Sequence, residues 1–167
     1  VQNGMIKTAT FPNMRWEFIG HLQTNKVRKA VENFDRIQSV DSLKLAQKMD
    51  QIKSEHDPVE ILIQVNGGEE PHKYGFSITE LDKVKTELFE LKGVTIKGLM
   101  IVAPFTQESQ VLRKIYKKSR QVFENWRQHS KLIDTLSMGM SHDYRIAIEE
   151  GATMVRIGRL ILEGGNT

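Results

Sequence analysis

Ile61-Leu-Ile-Gln-Val65 is a near-continuous apolar run of strand length, the pattern expected of a parallel strand covered on both faces. It is one of several such runs. Arg15–Ile19, Ile37–Val40, Val94–Met100, Ile133–Met138 and Thr153–Ile157 also read as strands. Segments with helical spacing lie between them. Thr24 is placed to cap a helix through Val27, Ala30 and Val31. Asp41-Ser42 caps one that aligns Leu43, Ala46, Met49 and Ile52. Ser77-Ile-Thr-Glu80 has capping-box spacing before the stripe Leu81, Val84, Leu88 and Leu91. Val111, Leu112, Ile115, Tyr116, Val122, Phe123 and Trp126 mark a long helix, and 143–150 a short one. Strands alternating with helices define a parallel α/β architecture. At this level an open doubly wound sheet and a barrel fit equally well.

Composition narrows the class of protein. The 167 residues, 39% hydrophobic and 27% charged, suit one domain with a real core, spanning 1–167. No apolar run is long enough to cross a bilayer, and the chain shows no amino-terminal signal pattern. The absence of cysteine removes disulfides and thiolate metal sites and fits a cytoplasmic protein. A net charge of +3 is spread over lysines that alternate with acids, so nucleic-acid binding is not expected. The five histidines have no ligand spacing, and no metal site is expected.

Two carboxyl-terminal stretches carry the chemistry. Leu136-Ser-Met-Gly-Met-Ser-His-Asp143 and Met154-Val-Arg-Ile-Gly158 each read as a strand breaking into a turn, the first running directly into a helix. Adjacent strand ends with free backbone N–H groups cradle phosphate well, and in barrels the loops after the last two strands commonly do so. A phosphorylated small molecule is therefore the expected ligand. Ser141 is placed as helix N-cap and phosphate donor together. Gly158 lets the backbone approach a ligand, with Met140 beside the turn. Strand alternation puts Arg156 with Met154 and Gly158 on the inner side, and Val155 and Ile157 toward the helices. Asn66 and Met100 end strands at the same face, as mouth-lining residues or as ordinary loop starts.

Trp16-Glu-Phe-Ile-Gly-His-Leu-Gln-Thr-Asn-Lys26 resembles the signature of the pyridoxal-phosphate homeostasis protein family. So do Leu136–Ser141, Met154–Gly158, the Gln64-Val-Asn66 strand end and the Glu69–Gly75 loop. The resemblance covers roughly residues 14–160. It implies a (β/α)8 barrel of the alanine racemase N-terminal type, binding pyridoxal 5′-phosphate without established turnover. It also implies delivery to apo pyridoxal-phosphate enzymes, as a monomer or weak dimer, and a position for Arg156 facing the pyridine nitrogen.

The departures are specific. The family's Schiff-base lysine lies in a first-strand Val-Ser-Lys-Thr-like segment that does not occur here. The strands of this chain correspond to the third through eighth, so an amino-terminal portion is expected to be lacking. Lys7 reads as the tail of a preceding helix rather than as the anchor. Glu17 replaces the usual histidine, and Arg159 stands where the family has Ser or Thr, giving the phosphate a backbone N–H and a guanidinium or pointing to solvent. Two alternatives accompany the carrier reading. One is a racemase-like enzyme with Tyr74, Tyr116 or Tyr144 as its second acid/base; the other is a fragment acting only through protein partners.

Overall fold

The computed structural model describes residues 1–11, 13–158 and 161. Six strands, β1 (Glu17–Phe18), β2 (Arg36–Val40), β3 (Val59–Asn66), β4 (Val94–Val102), β5 (Thr135–Met140) and β6 (Met154–Arg156), form one sheet in chain order. Every neighbouring pair is parallel. Helices α1 (Gln2–Thr10), α2 (Val27–Asn33), α3 (Leu43–Asp50), α4 (Ile78–Glu90), α5 (Ser109–His129) and α6 (Tyr144–Glu149) accompany them. Together they make a partial (β/α) barrel, in accord with the barrel expected from the resemblance. Residue 7 lies within α1, outside the sheet.

The two faces of the sheet differ in chemistry. Val59, Ile61, Ile63 and Val65 of β3, Ile96, Leu99 and Ile101 of β4, and Leu136 and Met138 of β5 join the helices in one apolar core. Residues between them point to the concave side, Glu60, Gln64, Thr135 and Ser137 among them, with Arg36 of β2 reaching Glu60 and Thr135. The run 61–65 is buried on both faces, as its pattern predicts, with an inner face that is mixed in polarity. Only Leu62 is an apolar inner residue between Glu60 and Gln64.

The sheet curls through irregularities in register. Lys97 is an extra residue opposite the Ile61–Leu62 step of β3, a bulge that increases local bending. Gly98 follows it with φ of +147°, and a Cβ there would run into the Thr135 backbone. Lys97 turns outward to pair with Asp134 at 2.6 Å. Further shifts interrupt the β2–β3 and β5–β6 ladders.

Element boundaries depart from the sequence expectations for local reasons. The first strand shrinks to two residues because the Trp16 N–H donates to the Asp35 carboxylate at 2.6 Å instead of continuing the ladder. Thr24 caps no α-helix. Residues 24–26 form a 3₁₀ turn, and α2 begins at Val27. Ser42 does cap α3, accepting from the Leu45 N–H, whereas Asp41 turns to His21. Ile52 falls beyond the end of α3.

The capping box of α4 forms as its spacing predicts. Ser77 accepts from the Glu80 N–H at 3.2 Å, and the Glu80 carboxylate accepts from the Ser77 N–H at 2.7 Å. That backbone bond, then the hydroxyl, holds the Glu80 carboxyl below its ordinary range. A depressed folded pKa stabilises above the free-glutamate value of about 4.3 and is lost as pH falls through the folded value. Ser77→Ala is expected to lower stability by about 1 kcal/mol in thermal or urea unfolding. Glu80→Gln should destabilise near neutrality, and its difference from the parent should vanish in acid.

Candidate functional site

The concave face is organised by a directional chain of hydrogen bonds. Arg156 of β6 donates through Nη1 to the Ser137 hydroxyl at 2.8 Å and to the Ser137 carbonyl at 2.9 Å. Its Nη2 donates to the Ile101 carbonyl at 2.8 Å. Because the Ser137 oxygen accepts from Arg156, its proton points to Gln38 Oε1 at 2.8 Å. That in turn fixes the Gln38 amide, whose Nε2 donates to Glu17 at 2.6 Å and lies 3.3 Å from the Met154 sulfur. The chain touches all the strands except β3.

A second cluster lies near the amino ends of the strands. Arg36, 6% exposed at its side chain, reaches Glu60 at 2.8 Å, Glu17 at 3.5 Å and the Thr135 hydroxyl at 3.3 Å. Arg15 adds its own pairs to Glu17 and Glu60. Glu17, a departure from the family pattern, thus joins both clusters.

At the carboxyl ends of the strands, the β5–α6 turn is built on Gly139, Met140 and Asp143. Gly139 has φ of +92°, and a Cβ there would come within 2.5 Å of Ala147 Cβ and 3.0 Å of Tyr144 Cα. Asp143, 3% exposed, occupies the N-cap position of α6 without capping it. Its carboxylate accepts instead from the Met140 N–H at 2.6 Å and from the Tyr116 hydroxyl at 2.6 Å. Burial, then the bond to Asp143, pushes the Tyr116 phenol far above the ordinary tyrosine range. Burial draws the Arg156 guanidinium below its ordinary range, opposed by Tyr116 and Asp143.

Ser141 is half-buried in the turn after β5 but is not the N-cap of α6, because the helix starts three residues later and Asp143 takes that position. Met138 is fully buried, while Met140 is 46% exposed at the strand end. Arg156 and Met154 share the concave side. Gly158 follows β6, and a Cβ there would meet no described atom within 4 Å. Met100 is buried on the inner face, in register with Gln64 and Ser137. Asn66 is committed to the loop after β3: its Nδ2 donates to the Glu70 carbonyl at 2.8 Å and its Oδ1 accepts from the Glu70 N–H at 3.2 Å. Arg159 lies outside the described residues.

Sequence reasoning missed Gln38, Ser137 and Asp143, and named Tyr116 without its partner. A glutamine inside Ile37-Gln-Ser-Val40 signals a polar inner face, but its partner lies 99 residues away. Tyr116 stands in an apolar helical stripe and among the tyrosines of the racemase-like alternative, and neither pattern points to its bond with Asp143.

The family described as alanine racemase, N-terminal domain, matches residues 6–164. The fold is thus that of an alanine-racemase-type barrel. The pyridoxal phosphate homeostasis protein of Escherichia coli K12 is 39% identical over 171 residues, covering 96% of this chain and 71% of that protein. That of Aquifex aeolicus is 37% identical over 151 residues, covering 89% and 66%. The chain belongs to the pyridoxal phosphate homeostasis protein family. PipY of Synechococcus elongatus, solved with PLP bound, superposes with a TM-score of 0.83 at 34% identity, over 94% of this chain and 76% of that one. Alanine racemase of Clostridium difficile, at 17% identity and a TM-score of 0.70 over 90% of this chain and 40% of that one, shares the fold.

Ser137→Ala should leave Gln38 Oε1 and an Arg156 N–H short of partners, at about 1–3 kcal/mol in chemical denaturation. The Ser137→Ala/Gln38→Ala double variant should lose less than the sum of the two single variants.

Proposed function

We propose that this chain holds pyridoxal 5′-phosphate as a non-catalytic carrier that keeps the free cofactor low and passes it to apo-enzymes. The observation carrying this reading is the concurrence of homeostasis-named relatives and a PLP-bound neighbour with Arg156 fixed beside the β5 and β6 ends. The residues present fit the group. Ser141, the turn N–H groups and the Gly158 backbone form a donor set suited to a phosphate, with Met140 and Met100 as its apolar neighbours. Arg159 is proposed to add a backbone N–H or its guanidinium. Asn66 contributes by bracing the loop at the mouth. Arg156 is proposed to lie toward the pyridine ring, held there by Ser137 and Ile101.

Bound pyridoxal phosphate supplies a reactive aldehyde and a ring that serves as an electron sink. Arginine does not surrender its proton at ordinary pH, so Arg156 can orient a ring nitrogen without protonating it. That weakens the sink and favours storage over carbanion chemistry. The tyrosines support the same reading. Tyr116 is 1% exposed and bound to Asp143, which removes it as a mobile acid or base. Tyr74 stacks on His21 with ring centroids 3.8 Å apart.

Titration of the purified protein with pyridoxal phosphate, followed by borohydride reduction and intact-mass analysis, separates non-covalent from covalent holding. The family's Schiff-base lysine segment does not occur in this sequence, so a spectroscopic sign of binding without a reduced-cofactor adduct is expected, and no spectroscopic sign of binding would overturn the carrier role. Arg156→Met should weaken binding about tenfold or more, the loss of a charge-assisted contact. Solvent deuterium should not exchange into the α-position of alanine, and cofactor-dependent exchange would establish an enzyme instead.

A further inference from the structure

We infer that Tyr116 and Asp143 are positioning residues that set the β5–α6 turn and thereby give the site its preference for a phosphorylated over an unphosphorylated pyridine. This rests on the pyridoxal-phosphate reading above and adds two residues that the expected site did not contain.

Asp143 presents an anomaly of charge. It sits at the head of α6, where Ser, Thr, Asn or Asp normally accepts from the helix. Its side chain does not do so. It turns back and binds the Met140 N–H at 2.6 Å, the peptide immediately before Ser141. A carboxylate only 3% exposed, next to a turn expected to receive an anion, is electrostatically adverse unless donors hold it. Those donors are present: the Met140 N–H, and the Tyr116 hydroxyl at 2.6 Å from the neighbouring helix α5. His142 Nε2 lies 3.4 Å from the same carboxylate, and Phe105 packs on the His142 ring with centroids 4.9 Å apart. Arg156 adds positive charge on the sheet side.

The consequence is geometric. With Met140 N–H tied down by Asp143 and Gly139 pressed against Ala147, the turn has few conformations left. Asp143 satisfies one peptide N–H internally, while the N–H groups of Ser141 and His142 make no hydrogen bond among the described residues. Tyr116 carries no part of a ligand surface, being 1% exposed, and acts entirely through Asp143.

Tyr116→Phe keeps the ring and deletes the hydroxyl; Asp143→Asn keeps the shape and deletes the charge. Equilibrium dialysis with pyridoxine 5′-phosphate and with pyridoxine reads the phosphate preference directly, because neither probe has an aldehyde and lysine chemistry plays no part. Each variant is expected to reduce the ratio of the two affinities about five- to tenfold, while pyridoxine binding changes less than about twofold. A merely structural role would lower thermal stability and weaken both probes alike. A ratio unchanged in a folded Tyr116→Phe protein, judged by near-ultraviolet circular dichroism, overturns the positioning role. If Asp143→Asn does not fold, Tyr116→Phe decides alone. A parent protein with no phosphate preference overturns the pyridoxal-phosphate reading and this role together, whereas a preference that survives in both variants overturns this role only.

Discussion

The bond between Ser137 of β5 and Gln38 of β2 determines more of this structure than any other contact. Two strands lie between them in the sheet, so a flat sheet would hold them about 14 Å apart with side chains side by side. A hydroxyl and an amide 2.8 Å apart are possible only when the sheet curls until the inner faces of β2 and β5 confront one another. The bulge at Lys97 and the register shifts in two other ladders supply that curvature locally. The bond also has a fixed polarity. Arg156 can only donate, which makes Ser137 donate onward to Gln38 and leaves the Gln38 amine for Glu17. Curvature and the orientation of Arg156 are consequently one property.

This arrangement separates stability from function by face. The outer side of the sheet is buried by helices with aliphatic and aromatic side chains, including Trp126 and Phe123, and needs no particular chemistry on the inside. The inner side is free to be polar because, among the described residues, each buried side-chain nitrogen and oxygen has a partner. The charged cluster around Arg36 occupies the amino-terminal end of the strands, and the residues proposed to hold a ligand occupy the carboxyl-terminal end. Removing Arg36 would leave Glu17 and Glu60 together with only the more exposed Arg15 as a cation, so that end is a framework rather than a site.

Much of this was legible in the sequence, and the reason differs by element. Apolar periodicity located the strands and helices because the outer face is a plain hydrophobic layer. The capping box at Ser77 and the cap at Ser42 were legible because their partners lie three residues away. The inner face was less so. In β3, Leu62 completes an apolar string with its outward neighbours and hides the fact that Glu60 and Gln64 flank it inside. Asn66 looked like a mouth residue, yet its amide closes the loop after β3. Asp143 looked like the body of a helix or a plain neighbour of a capping serine. Only the approach of Tyr116 from another helix shows that its carboxylate faces backward. Side chains whose partners are distant in sequence have no periodic signature.

The replacement of the family's histidine by Glu17 shows how such a network absorbs change. A carboxylate at that position would be adverse on the inner face of an ordinary barrel, but here it receives the Gln38 amine and stands 3.5 Å from Arg36. Its charge fixes the amide of Gln38 in the one orientation that leaves Oε1 for Ser137. A neutral imidazole could accept the same bond, so the chain toward Arg156 survives either residue. What changes is the charge balance around Arg36, which with glutamate present faces two acids instead of one. The departure therefore strengthens the framework end of the barrel and leaves the direction of the Arg156 guanidinium, at the other end, unaltered.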